Sequence, residues 1–239
     1  MRIFPLLFIF SIISAQWSSE SAHLLEKNRK EIGLLSPYKM ALNNGSEIGV
    51  NKFLLMPSIY VKQEMSVYNS WKIARKFRTE YPTPGLKWIQ SPLGKEMGDP
   101  NMFSLISSQF SIPQMFSFHV ELIGSKGNLE SGQLSLNGGV GVALNGKKLS
   151  NDATIDLPVI YPRLSVYYND FVIKTGGEYA RHLRNRLNYI IDYEMYLMPG
   201  NGGRYAFEQQ SVLVWQKSNT LNLSFGYKLI VGEYPFGGQ

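Results

Sequence analysis

One stretch near the C-terminus, residues 220–232, alternates apolar residues with small or polar ones almost without exception. Six apolar members occupy odd positions: Leu221, Leu223, Phe225, Tyr227, Leu229 and Val231. Ile230 is the one apolar residue at an even position. Because successive side chains of a strand point to opposite faces, this pattern predicts a β-strand with one apolar face and one polar face.

The same alternation recurs along the chain from Gly45 onward. It predicts about twelve strands, at residues 46–56, 58–68, 70–81, 84–91, 103–112, 114–124, 131–144, 154–168, 171–183, 186–198, 204–216 and 220–232. Turn-forming pairs such as Asn69-Ser70 and Asn145-Gly146 separate neighbouring strands, which favours antiparallel hairpins. No helical pattern is interleaved, so the sequence predicts an all-β fold with an up-and-down antiparallel meander.

The N-terminus has the layout of a secretory signal peptide over residues 1–15. Arg2 precedes an apolar run from Ile3 to Ile13, and Ala15 stands before Gln16. This layout predicts export and cleavage near Ala15 and Gln16. We expect residues 16–44 to form an N-terminal periplasmic arm or short helix, and residues 45–239 to form a single β-barrel domain.

Strand length separates two folds that alternation alone leaves open. Strands of soluble proteins are mostly about 5–6 residues long, whereas membrane-spanning strands need about 9–11, and most strands predicted here have ten or more. Beyond residue 15, no apolar run approaches the ~18 residues of a membrane-spanning helix. Residues 45–232 therefore resemble bacterial outer-membrane β-barrel proteins as a class. The alternative is a secreted soluble β-sandwich that acts as a binding module.

The resemblance implies a transmembrane barrel in the outer membrane of a Gram-negative bacterium. It implies a non-enzymatic role, as a small pore or transporter or as a structural surface protein. Membrane lipid and the barrel-assembly machinery are the implied partners, and we expect no nucleic acid. Barrels of this class usually end on a strand with a terminal aromatic residue. Because this chain ends in Tyr-Pro-Phe-Gly-Gly-Gln, we expect a truncated C-terminus.

The two strand faces assign candidate residues for the interior and for the lipid boundary. Polar-face residues expected to line the lumen are Lys72, Lys76, Arg78, Glu80, Lys87, His119, Glu121, Glu178, Asp192, Glu194, Glu208 and Lys228. Aromatic residues expected to face lipid or to form interfacial girdles are Trp71, Tyr81, Trp88, Phe116, Phe118, Tyr189, Tyr193, Trp215, Phe225 and Tyr227. The mixed charges of the first group predict ion pairs across the bore rather than a single-sign selectivity ring.

A barrel-type hydrolase is the third hypothesis, because Ser117, His119 and Glu121 share one polar face. Residues two apart on a strand are separated by about 6.6 Å along it, whereas a nucleophile and its base need about 2.6–3.2 Å. We therefore expect no catalytic site. The sequence shows no phosphate loop, no metal-ligand pair and no dinucleotide motif, so we expect neither a cofactor nor a metal.

The lengths of the connections between strands give one further expectation. In outer-membrane barrels the connections on the periplasmic side are short. If the first strand starts at Gly45, however, the long connections 92–102, 125–130 and 199–203 all fall on that side. An additional strand within residues 32–42 would move them to the opposite side.

Overall fold

Eleven antiparallel strands form one sheet in chain order in the computed structural model. The model describes residues 20–32, 37–51, 56–90, 111–144, 161–199, 205–218 and 221–233. The strands are β1 (Lys30–Glu31), β2 (Tyr38–Leu42), β3 (Ser46–Asn51), β4 (Ser58–Tyr68), β5 (Trp71–Glu80), β6 (Ser117–Asn128), β7 (Gly132–Ala143), β8 (Phe171–Arg184), β9 (Leu187–Leu197), β10 (Tyr205–Gln216) and β11 (Asn222–Gly232). The all-β class and the up-and-down meander are confirmed.

The two edges of this sheet are not paired with each other in the part of the chain that the structure describes. Its strand order runs from β1 to β11, with no ladder between the first and last strands. The signal peptide expected at residues 1–15 and the final residues 234–239 lie outside the described ranges.

Two of the predicted strands are wrong, because the described residues there are helical. Residues 84–91 belong to helix α1 (Thr83–Gln90), and the described part of 154–168 belongs to helix α2 (Tyr161–Asn169). Each helix has a proline at its second residue, a position where the missing N–H leaves no helical hydrogen bond unmade. The predicted strand 103–112 falls almost entirely outside the described residues.

The N-terminal region also differs from the expectation of an arm or short helix over residues 16–44. Residues 20–29 contain no helix, and the sheet begins at Lys30 rather than at Gly45. Strand β2 lies within residues 32–42, where the additional strand was expected, and it pairs with β3 from Tyr38 opposite Val50 to Leu42 opposite Ser46.

The tight turns lie at one end of the sheet, which we call the turn end, and the connection expected at 125–130 is one of them, the short turn between β6 and β7. At residues 69–70 and 185–186, both turn residues have positive φ, as in Asn69 at 47° and Asn185 at 47°. Two consecutive left-handed residues match the twist of an antiparallel hairpin, and asparagine tolerates that conformation well. The connections that carry α1 and α2 lie at the opposite end, which we call the helix end.

The sheet has an exposed apolar face and a buried polar face. On β6, for example, Phe118, Val120 and Leu122 alternate with buried Ser117 and His119. The face assignments read from the sequence for residues 114–124, 131–144 and 186–198 agree with this burial pattern. We call the buried polar side the inner face and the other side the outer face.

Glycine on the inner face makes room for a large neighbour on the next strand. Gly141 lies opposite His119, and a Cβ atom at position 141 would lie 2.2 Å from His119 Nδ1. Gly49 lies opposite Tyr60, and a Cβ there would lie 2.1 Å from the tyrosine ring. The imidazole and phenol rings therefore occupy space that any other residue type at these glycine positions would fill.

Candidate functional site

The centre of the inner face is a network of buried ion pairs. Lys174 Nζ lies 2.6 Å from Glu194, 3.5 Å from Glu121 and 3.6 Å from Glu20. Lys76 Nζ lies 3.0 Å from Glu20 and 3.7 Å from Glu121. Because these charges are buried, each needs partners of opposite sign close by. The paired charges predicted from the sequence are present on the inner face.

A second set of ion pairs lies nearer the helix end. Arg163 of α2 lies 2.8 Å from Glu208 on β10, and Lys228 on β11 contacts the same carboxylate. Arg78 lies 3.4 Å from Glu80 within β5. An ion pair thus connects helix α2 to β10, and the same carboxylate connects β10 to β11.

Residues 20–25, which we call the inner segment, lie against the inner face with a bend at Ala22. The backbone N–H of Glu20 donates to Glu178 at 3.0 Å, that of Ala22 to Ser125 at 2.7 Å and that of Leu25 to Glu47 at 3.0 Å. Lys62 Nζ donates to the carbonyl oxygens of residues 21 and 23 at 3.2 and 2.8 Å. Side chains of the sheet therefore satisfy the backbone of a segment that belongs to no strand.

Two side chains of the inner segment have shifted pKa values with identifiable causes. Burial by itself raises the pKa of the Glu20 carboxyl, but Lys174 and Lys76 more than offset it, so this pKa lies below its ordinary value. Burial lowers the pKa of His23, and the positive charges of Lys72 and Lys62 lower it further, against a smaller opposing effect of Glu64. The inner face thus favours an ionised Glu20 and a neutral His23.

Apolar side chains fill both ends of the interior. At the helix end, α1 and α2 pack against the inner faces of β8 to β10 through a buried cluster: Met56, Leu86, Ile112, Met115, Leu164, Val166, Tyr167, Tyr168, Val172, Tyr196, Met198 and Ala206. At the turn end, Ala180, Ile190, Val212 and Val214 form a smaller cluster.

A cavity of ≈40 Å³ lies between these regions, enough for about three water molecules at roughly 10–15 Å³ each. Asn51 and Ser58 of the early strands line it together with Gln210 and Lys228 of the last two. The sheet therefore curls until β3 and β4 face the same small space as β10 and β11.

The serine and histidine of the hydrolase hypothesis are closer than the backbone spacing predicted. Ser117 Oγ lies 3.0 Å from His119 Nε2, because side chains on one face of a strand lean along it. The two side chains lean together, so the backbone spacing does not keep them apart, yet the geometry is not that of a catalytic triad. Glu80 approaches the same Nε2 atom at 3.6 Å, whereas the orienting carboxylate of a triad binds the other ring nitrogen.

The surroundings of Ser117 also oppose a hydrolase. Its side chain is fully buried, and Tyr167 of α2 donates a hydrogen bond to its oxygen at 2.9 Å. Glu121, the third residue of the hypothesis, instead contacts Lys76, Arg78 and Lys174. In this arrangement the hydroxyl is enclosed by neighbouring side chains.

Most of the residues expected to line the interior lie on the inner face: Lys76, Arg78, Glu80, His119, Glu121, Glu178, Asp192, Glu194, Glu208 and Lys228. Lys72 is half-exposed near the start of β5, 3.6 Å from Glu64. Lys87 is a correction, because it lies exposed on α1 rather than on a strand.

The aromatic candidates on strands point outward or lie at strand ends. Trp71, Phe118, Tyr189, Tyr193, Trp215, Phe225 and Tyr227 lie on the outer face, and Tyr81 and Phe116 lie just beyond strand ends. Trp88 is a correction like Lys87, because it is exposed on α1 instead of on the predicted strand 84–91.

Sequence reasoning missed Glu20, Lys62, Lys174 and Arg163, which hold the interior together. Lys174 could have been found from strand parity, since it shares a face with the recognised inner residue Glu178 on β8. Lys62 lies on β4, where no residue had been assigned to the interior. Glu20 and Arg163 lie on no strand and gave no such signal.

Comparison with known proteins identifies no relative: no protein-family model, no curated protein and no solved structure matches this chain. The helices found in the described ranges are too short or too polar to cross a membrane. Those same ranges contain no grouping of three or more histidine, cysteine, aspartate or glutamate side chains suited to a metal ion.

Proposed function

We propose that this chain is an integral, non-enzymatic outer-membrane β-barrel whose interior is closed by its own residues. The observation that supports this proposal is the inverted polarity of the sheet, with charges buried on the inner face and large apolar side chains exposed on the outer face. Leu122, Leu136, Val140 and Phe225 are each at least half exposed. Water-soluble proteins bury such residues, whereas the strands of outer-membrane barrels turn them toward lipid.

A soluble β-sandwich accounts for these observations less well. Sandwiches pack the apolar faces of two sheets against each other, but the described strands form a single sheet whose inner face is polar. A continuous exposed apolar surface of this kind marks a protein or membrane contact. The proposal assigns that contact to the hydrocarbon region of the outer membrane.

In the bilayer, the proposal includes a closed barrel of about twelve strands. Lipid offers no hydrogen-bonding groups, so the backbone groups at the sheet edges need partners within the protein. The cavity supports this closure, because residues of the early strands and residues of β10 and β11 line it together, so that the two edges of the sheet approach each other.

The proposal is a plugged barrel rather than an open pore. Among the described residues, the inner segment, the ion pairs and the apolar clusters occupy the inner face, and the cavity between them measures ≈40 Å³. Of the roles that the sequence left open, the filled interior favours a structural surface protein, or a transporter that is closed at rest, over a permanently open channel.

Solubility in the absence of detergent tests the membrane proposal directly. Membranes washed with high salt should retain the protein, and only detergent should extract it, because its outer apolar face has no other cover. A protein released by salt as a dispersed monomer in plain buffer would refute the proposal and favour a soluble fold.

A further inference from the structure

We propose that the interior contains a binding site for an acidic peptide, and that the inner segment is the occupant of that site in this state. The site is the set of inner-face groups that hold residues 20–25. Its place inside a barrel rests on the function proposed above, but its peptide chemistry does not.

The first element of the site is a pocket for a carboxylate. Both oxygens of Glu20 accept hydrogen bonds from Lys76 Nζ at 3.0 Å, and Lys174 Nζ lies 3.6 Å away. Without Glu20, the remaining carboxylate near Lys76 is Glu121, at 3.7 Å. A ligand for this pocket therefore has to bring an acidic side chain.

The second element recognises peptide backbone rather than a particular side chain. Carboxylates of Glu178 and Glu47 and the hydroxyl of Ser125 accept N–H groups, while Lys62 donates to the carbonyl groups of residues 21 and 23. These groups come from four different strands, and none is a backbone group. Such an arrangement binds a peptide without adding a strand to the sheet.

The third element limits the size of the residues that follow the acidic one. Ala22 packs in a fully buried cluster with Ala74 and Ile123, and the hydroxyl of Ser21 accepts a hydrogen bond from Gln133 at 2.8 Å. The site therefore fits an acidic residue followed by two small residues, as in Glu-Ser-Ala.

The sheet makes its own hydrogen bonds independently of this ligand. Every ladder from β2 to β11 pairs strand with strand, and no residue of the inner segment takes part in one. We infer that the segment can leave the interior without unfolding the sheet, and that a peptide of the same chemistry can then replace it.

The main experiment removes the inner segment and supplies it as a separate molecule. The variant lacks residues 16–25, and the probe is an acetylated peptide of residues 20–27 with a fluorophore on Lys27, which is exposed in the structure. Fluorescence anisotropy in detergent micelles should show saturable binding to the variant and much weaker binding to the full chain, whose site is already occupied.

Two altered peptides make the measurement specific. The Glu20→Gln peptide should bind about tenfold more weakly or worse, because it loses a charge-assisted interaction. The Glu26→Gln peptide should bind unchanged, since that side chain is 87% exposed and lies 4.0 Å from the exposed side of Arg29 rather than against the inner face. Absence of binding to a folded variant, or equal binding by all three peptides, would overturn the proposal.

A measurement on the full chain covers the case in which the deletion prevents folding. The chain has no cysteine, so Ser21→Cys introduces a single thiol that is buried while the segment is seated. Adding Glu20→Gln should increase its rate of maleimide labelling about tenfold, whereas adding Glu26→Gln should not. Equal labelling rates would refute the proposal. These readouts do not depend on a bilayer, so they fail or succeed separately from the membrane proposal.

Discussion

Two leucine-to-arginine substitutions test whether the outer face lies in lipid. Leu136 is the fifth residue of the twelve-residue strand β7, and Leu223 is the second residue of β11. Their side chains are 50% and 46% exposed. The pair therefore compares the same change at nearly equal exposure, but at different distances from the turn end of the sheet.

The expected difference follows from depth. At about 3.3 Å per residue, Leu136 lies roughly 13 Å along its strand from the turn end, and Leu223 lies only about 3 Å from it. With a tilt of about 40°, the first distance is roughly 10 Å along the membrane normal, near the middle of an apolar band about 25 Å tall. Arginine costs about 2–4 kcal/mol at the midplane and about 0–1 near the interface.

Folding into liposomes from urea measures this difference. Leu136→Arg should reduce the equilibrium constant for folding about 30- to 100-fold more than Leu223→Arg, since about 1.4 kcal/mol corresponds to a factor of ten. On a water-exposed surface, both substitutions would change stability by less than about 0.5 kcal/mol. Equal and small effects of the two substitutions would refute the assignment of the outer face to lipid.

Three further predictions concern the interior. Gly141→Ala should destabilise the protein by about 1–3 kcal/mol in urea unfolding followed by circular dichroism, because the new methyl group displaces His119. The matched change is Gly138→Ala, where the nearest atom to the new methyl group would be 4.0 Å away. It should reduce the free energy of unfolding by less than half as much. Ser117→Ala should leave any hydrolysis of small esters unchanged, and a loss specific to this variant would instead support the hydrolase hypothesis. Binding of the residue 20–27 peptide should weaken as the pH falls below about 6.5. The pKa of His23 is lowered in the site, so the site favours neutral His23, and protonation of the free peptide below the ordinary histidine pKa disfavours binding. The same weakening in a His23→Asn peptide would contradict this cause.

The strand faces could be predicted from the sequence because a period of two needs no knowledge of distant residues. On β7, Leu134 and Leu136 alternate with Gln133 and Ser135, and burial follows that alternation residue by residue. A strand with a polar inner face and an apolar outer face has the same alternating sequence pattern as a strand with the reverse arrangement. Strand length, rather than alternation, led to the barrel hypothesis.

The helices could not be recognised in the same way. Leu86 and Trp88 alternate as strand residues do, yet Leu86 is fully buried and Trp88 is exposed because α1 packs one side against the end of the interior. In α2, the strand-favouring residues Val166, Tyr167 and Tyr168 are all buried in the same apolar cluster. Tertiary packing overrides local propensity at both places.

The inner segment was missed because the composition of this region is typical of a solvent-exposed stretch. A charged stretch without β-branched residues usually lies on the surface, and Glu26 and Lys27 do. Glu20 is buried only because Lys76 and Lys174 come together when β5 and β8 are brought into one curled sheet. No local pattern contains that information, since the partners are 56 and 154 residues away in the sequence.

The strict chain order of the sheet has a consequence for how this protein reaches its folded state. Each ladder from β2 to β11 joins strands that are consecutive in sequence, so contact order is low for a sheet of this size and pairing can spread from one hairpin to the next. The contacts that span the greatest sequence distance among those described are instead those of Glu20 with Glu178 and with Lys174. The inner segment, synthesised before any strand, therefore completes its contacts only after β8 has joined the sheet.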